Sequence, residues 1–176
     1  MTELKCACGE VALHLEGTHI MATECLCSEC QQAGKLFADL PQAIPVLDEK
    51  SATGFVLYRK DRVQCVKGAG HLCEHKLKAD SKTRRIIAGC CNTPMFLEFT
   101  QGHWLSIYTR LWPENSAPSL DMRTMAGEAP DGVVLPENVP NAKRHDFRFF
   151  ARLLLAWAAM GFRAPRIDYV RKTLNA

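Results

Sequence analysis

No apolar run in this 176-residue chain is long enough to cross a bilayer as a helix. The longest, Phe149–Phe162, is interrupted by Arg152 and falls short of the roughly 20 apolar residues a span requires. Met1–Cys6 has no basic segment leading into an apolar stretch, so no secretory signal is expected and a reducing, cytoplasmic setting is the starting assumption. Internal repeats are absent beyond the recurrence of cysteine clusters, and so are low-complexity tracts, which sets aside repeat arrays and disordered segments. Strong charge of one sign is also lacking, with a formal net charge of only +3.

What remains has globular proportions. Apolar residues make up 47% of the chain and charged residues 23%, and the length fits a single domain over 1–176 with a real core; two domains would be cramped. Nine cysteines in a reducing compartment point to metal rather than disulfides. The odd count and the C-x-C spacings agree, because cysteines one residue apart are poorly placed to bridge each other yet can share an ion.

The mild charge is unevenly spread. Lys143, Arg144, Arg148, Arg152, Arg163, Arg166, Arg171 and Lys172 face only Asp146 and Asp168 after residue 140, so the last stretch carries +6 and residues 1–140 carry −3. Such a tail could meet acidic partners, but the solvated face of a packed helix is the simpler reading, and nucleic acid is not the expected partner.

From about residue 4 to 110 the pattern is period-two alternation in short β-rich runs, such as Val11, Leu13 and Leu15 against Ala12, His14 and Glu16. Further runs are Gly54–Tyr58, Val63–Val66, His71–Leu77, Arg85–Ala88, Met95–Phe99 and Trp104–Tyr108, most separated by Gly or Pro. Antiparallel sheets and a mainly β fold are expected. Residues 112–141 carry Pro113, Pro118, Pro130, Pro136 and Pro140 without periodicity and read as a long loop wrapping the sheet. Asp146 can cap a helix running to about 160 or 161, stopped by Gly161 and Pro165. Docking on the sheet is its first reading; an interfacial or oligomer-forming helix is the second.

Seven of the nine cysteines fall in three knots. Cys25-Leu26-Cys27-Ser28-Glu29-Cys30 gathers three thiolates within six residues. Three protein ligands and an open position are the pattern of a catalytic zinc, whereas structural zinc is normally closed by four. Cys6 and Cys8, two apart in an extended segment, can present both sulfurs to one ion, and Gly9 eases the turn after them. Their missing partners are best sought at Cys91, before Asn92-Thr93-Pro94. Cys90 is the obvious fourth, although neighbours in a strand rarely aim the same way; Cys73, His71 or His75 could complete the site instead, leaving Cys90 to face the open ion.

In order and spacing these clusters, Cys6-Ala7-Cys8-Gly9, Cys25 to Gln31 and Cys91-Asn92-Thr93-Pro94, resemble the family of the glutathione-dependent formaldehyde-activating enzyme and centromere protein V, over roughly residues 4–100. The resemblance implies a zinc-pinned antiparallel β-tent, a structural zinc on the first and third clusters, and a catalytic zinc on Cys25, Cys27 and Cys30. One or two Zn²⁺ are thus the expected cofactors. The chain departs from the family where its third cluster would have a first cysteine, which falls on Ala88, and a glycine, which falls on Asn92; Leu26 stands where histidine is frequent. These departures suggest a divergent bacterial offshoot.

The remaining residues have plainer readings. Cys65 reads as a small buried hydrophobe, Cys73 as undecided, and His14, His19, His103 and His145 as surface or strand residues. Trp104, Trp112 and Trp157 read as core or loop fillers. Arg84 and Arg85 could grip a carboxylate of an acidic thiol, with an exposed strand pair as the simpler reading, and Glu24 and Glu29 are general-base candidates no better than surface carboxylates. The activity implied is a carbon–sulfur lyase type of reaction on a small thiol or thiol–aldehyde adduct, glutathione and formaldehyde being the family example. A zinc-stabilised binding module with a basic tail is the rival.

Overall fold

Alternation along Thr53–Arg59 sends Phe55 and Leu57 to one side of a strand and Val56 and Tyr58 to the other, and all four are buried. A strand covered on both faces belongs in the middle of a sheet with layers above and below. The computed structural model describes residues 1–114 and 116–174 and shows that arrangement. In chain order the elements are β1 (Thr2–Lys5), β2 (Ala12–Leu15), β3 (Met21–Cys25), α1 (Ser28–Ala38), β4 (Thr53–Arg59), β5 (Val63–Lys67), β6 (Leu72–His75), β7 (Thr83–Ala88), β8 (Thr93–Phe99), β9 (Trp104–Tyr108), β10 (Met122–Thr124), α2 (Phe147–Ala158) and β11 (Lys172–Thr173).

Among the described residues the fold is mainly β, with two sheets and two α-helices. A three-stranded sheet runs β1-β2-β5, and an eight-stranded sheet runs β10-β3-β4-β9-β8-β7-β6-β11. Neighbours pair antiparallel except at the two edges of the large sheet, where β10 joins β3 and β11 joins β6 in parallel. The wholly antiparallel expectation is corrected there. Both edge strands are two or three residues long and arrive from distant chain, so neither leaves a local alternation to read.

The two faces of the large sheet bury separate cores. On one, Val56, Ile86, Ala88 and Ile107 meet Leu4, Leu13, Leu15 and Val63 of the small sheet, and Cys6 and Cys91 lie in this layer. On the other, Leu57, Phe55 and Ile87 meet Ala33 and Phe37 of α1 and Phe149 and Leu153 of α2, and this layer holds Cys25 and Cys30. The cysteine clusters therefore sit on opposite faces of one sheet.

α1 was not anticipated. Its buried positions Cys30, Ala33, Gly34 and Phe37 follow helical spacing, but two are too small to mark an apolar stripe. Gly34 is small for a reason: a Cβ there would run into Leu47. α2 begins as expected, with Asp146 accepting from the Phe149 N–H at 2.9 Å, and ends near Gly161 at φ +63°. It docks through Phe149 and Leu153 but leaves Phe147, Phe150, Leu154 and Leu155 more than half exposed. Nor is 112–141 without structure, since it contributes β10 and a short 3₁₀ turn at Ala126–Glu128. Arg123, buried in β10, gathers this segment: it donates to Glu24 at 2.7 Å, to the Pro136 carbonyl at 2.9 Å and to Asn138 at 3.0 Å. No helix among the described residues is long and apolar enough to cross a membrane.

Candidate metal centres

β7 ends at Ala88, and Gly89–Asn92 turn the chain into β8 with Asn92 at φ +53°. Cys90 and Cys91 are therefore turn residues, free of the alternation that would aim strand neighbours apart. Both reach the loop after β1, where the sulfurs of Cys6, Cys8, Cys90 and Cys91 all lie within 4.8 Å of one another. Cys6 to Cys8 is 3.5 Å, Cys8 to Cys90 is 3.4 Å, Cys6 to Cys90 is 3.8 Å and Cys90 to Cys91 is 3.9 Å. Four sulfurs held about 2.3 Å from one tetrahedral ion would sit about 3.8 Å apart, so this cluster could hold a metal with little rearrangement. Ala88, where the resemblance asks for a cysteine, is instead fully buried in the sheet. Cys73 donates to the His71 carbonyl at 3.7 Å, and neither it, His71 nor His75 joins the group.

Hydrogen bonds single out one thiol of this group. Burial raises the Cys91 thiol, but the Thr93 hydroxyl and backbone N–H groups outweigh it and hold the pKa at about 6, while Cys6 and Cys90 are pushed up, first by burial. The Cys6 sulfur also accepts from the Val11 N–H at 3.2 Å, and Thr93 ties the loop down by accepting from the Ala7 N–H at 3.1 Å.

The second group joins the end of β3 to the start of α1. Cys25 closes the strand, Cys27 is the helix N-cap accepting from the Cys30 N–H at 3.4 Å, and Cys30 lies in the first turn. Their sulfurs also lie within 4.8 Å of one another. A helix N-terminus favours negative charge. The Cys27 thiol is held far below its usual value by hydrogen bonds from Cys25 and then Cys30, and those two are raised in return. Glu128 pins the motif by accepting from the Ser28 N–H at 2.7 Å, and Gln31 donates to the carbonyls of Leu26 and Glu128. Among the described residues three sulfurs converge here, one fewer than a closed tetrahedral site uses.

Cys25, Cys27 and Cys30 all line a cavity of about 420 Å³. Phe55, Leu97, Trp104, Phe149 and Phe150 supply much of its wall, and Arg85 is its buried cation, 2% exposed. Arg85 and Ile87 share one face of β7, the face that carries the Cys25–Cys30 layer, so the reading of Arg85 as an exposed strand residue is corrected. Period two alone could have shown it. Arg84 faces the other way and is spent on structure: its guanidinium meets Glu98 at 2.6 Å, Glu74 at 2.9 Å and the Ile167 carbonyl at 2.9 Å, while Lys60 completes the network on Glu98.

Other residues differ from their sequence readings as well. His145 lines the cavity, and His103 is buried between Trp104 and Trp157, stacking on the latter with ring centroids 5.7 Å apart. Trp157 itself is 37% exposed rather than a core filler, and Cys65 is half-buried. Glu24 is engaged by Arg123, whereas the Glu29 carboxylate stands 4.0 Å from Arg85. A larger cleft of about 540 Å³ along Glu24, Val46, Asp48, Arg110 and Trp112 has no cysteine in its lining.

No family model matches the chain, and no curated protein sequence matches it either. Among solved structures, the crystal structure of a Rhodobacter sphaeroides protein from the Northeast Structural Genomics effort aligns with 80% of this chain and 99% of its own, at 14% identity and a TM-score of 0.47.

Proposed function

We propose that the protein is a zinc-dependent enzyme that makes or breaks the carbon–sulfur bond of thiol–aldehyde adducts, related to the glutathione-dependent formaldehyde-activating family and built on its β-tent. The observation that carries the proposal is the contrast between the two groups: four sulfurs with no position to spare, and three sulfurs opening on a cavity. An all-sulfur donor set at tetrahedral spacing suits zinc. Cys6, Cys8, Cys90 and Cys91 would hold the structural ion, and Cys25, Cys27 and Cys30 the open one.

Zinc bound at the open site supplies a Lewis acid and lowers the pKa of a thiol brought to it. The chain does the rest. The N-terminus of α1 favours the negative charge gathered at the three sulfurs. The aromatic wall excludes water from the adduct. His145 in that wall offers an imidazole for exchange with the adduct hydroxyl. In the forward direction the thiol sulfur bonds to the aldehyde carbon and its proton ends on the oxygen; the reverse step restores thiol and aldehyde.

A second reading, a zinc-stabilised binding module without turnover, draws support from the exposed apolar face of α2 and the arginines beside it. Zinc per chain in protein purified without chelators, repeated for Cys27→Ser and Cys91→Ser, tests the shared premise. Two zincs are expected, with Cys27→Ser removing one while the fold survives; zero zinc in the native protein would sink both readings. Turnover of thiol–aldehyde pairs no faster than in buffer would leave only the module.

A further inference from the structure

Arg85 is the unusual residue of the cavity. It is 2% exposed in the middle of β7, yet among the described residues its side chain makes one long hydrogen bond, Nη2 to the Glu29 carbonyl at 3.3 Å, and the nearest carboxylate there, Glu29, is 4.0 Å away with a side chain 52% exposed. A buried guanidinium has five donors and normally has them matched, as Arg84 on the adjacent position does with two carboxylates and a carbonyl. Arg85 instead lines the same cavity as the three sulfurs, among Phe55, Leu97, Phe149 and Phe150. Desolvating a cation beside an apolar wall is costly unless an anion arrives to meet it.

We infer that the cavity beside Cys25, Cys27 and Cys30 takes an apolar, singly charged carboxylate, with the carboxylate on Arg85 and the hydrocarbon body against the aromatic wall. The inference rests on the proposed function for its thiol end and names that substrate's class: an aryl or branched mercapto acid, or its aldehyde adduct, rather than a peptide thiol. Glutathione carries two carboxylates and an ammonium, and one arginine in an aromatic chamber leaves most of that charge unmatched. A cavity of about 420 Å³ has room for an aromatic acid of this kind. The planar fork of arginine suits a carboxylate in two-point contact, which a lysine would not reproduce.

Calorimetric titration of the metal-loaded protein with 3-phenylpropionate and with its neutral isostere 3-phenylpropanamide tests this without any turnover. The acid should bind at least about tenfold tighter than the amide, the scale expected for a charge-assisted pair. In Arg85→Met that preference should collapse while the amide affinity and the metal content stay as in the native protein, and Arg85→Lys should restore only part of it. Equal binding of acid and amide by the native protein would overturn the inference, and that comparison holds even if Arg85→Met fails to fold. Loss of metal from Arg85→Met together with both ligands would overturn it too, because Arg85 would then serve the sulfurs. So would S-methylglutathione, which has no free thiol for the metal, binding tighter than 3-phenylpropionate. Failure of thiol–aldehyde turnover leaves the acid-over-amide preference standing, so the two proposals fail separately.

Discussion

Replacing Cys90 by Ser isolates the ligand that the Ala88 departure left in doubt. Cys6 and Cys91 are buried at 3% and 6% exposure, so their loss would mix ligation with core damage; Cys90 is only half-buried at the turn. The variant leaves three sulfurs where four stood. Structural zinc in small domains is worth about 10–16 kcal/mol of apparent binding energy, and one ligand in four corresponds to about 3 kcal/mol, or roughly a hundredfold in affinity. At saturating zinc that difference passes into folding stability by linkage. With a urea m-value near 3 kcal/mol/M for a chain of this size, the midpoint should fall by about 1 M. Competition against a chromophoric chelator reads the affinity, and urea titration followed by circular dichroism reads the stability. Cys73→Ser is the control, expected to move neither. A Cys90→Ser protein that keeps both zincs at native affinity, or a Cys73→Ser protein that shows the loss instead, would refute the four-sulfur assignment.

Two further outcomes follow from the buried charges. Glu98→Gln leaves Lys60, whose side chain is fully buried, and Arg84 without their shared carboxylate, and should cost about 3–5 kcal/mol in urea unfolding; a cost under about 1 kcal/mol would show the network to be replaceable. Burial chiefly pulls the His103 imidazole below its ordinary 6.5, so the folded chain prefers the neutral ring. Its contribution is fully present above pH 6.5 and drains as pH falls through the lowered folded value. Native protein should therefore lose more stability between pH 7.5 and 5.5 than His103→Phe does, with Trp157 fluorescence reporting the loosening of α2; equal losses would contradict the assignment.

Strands such as β4, β8 and β9 were legible because they alternate over five to seven residues, whereas β3, which carries Cys25, was not among the runs read. The three thiolates of the open group were legible because local spacing alone brings them together. Cys90 was harder, since its direction depends on a turn whose Asn92 takes a positive φ, and strand reasoning pointed it away. α1 hid behind Ala33 and Gly34, the latter kept small by Leu47, a residue of the following loop. Arg85 was named as a carboxylate grip but paired with Arg84 and read more simply as exposed, although it shares a β7 face with Ile87, and a charge on the buried side of a strand needs a partner. β10 and β11 left no such trace, because short parallel pairings between distant segments depend on the rest of the fold already being in place.

X-ray absorption at the zinc edge tests the open site most directly. With two zincs bound, one on four sulfurs and one on three, the mean coordination should be about 3.5 sulfurs per zinc at about 2.3 Å, with a light atom completing the open site. Adding a small mercapto acid should raise it toward four. A mean of four before any thiol is added, unchanged afterwards, would mean both sites are closed and would contradict the catalytic reading.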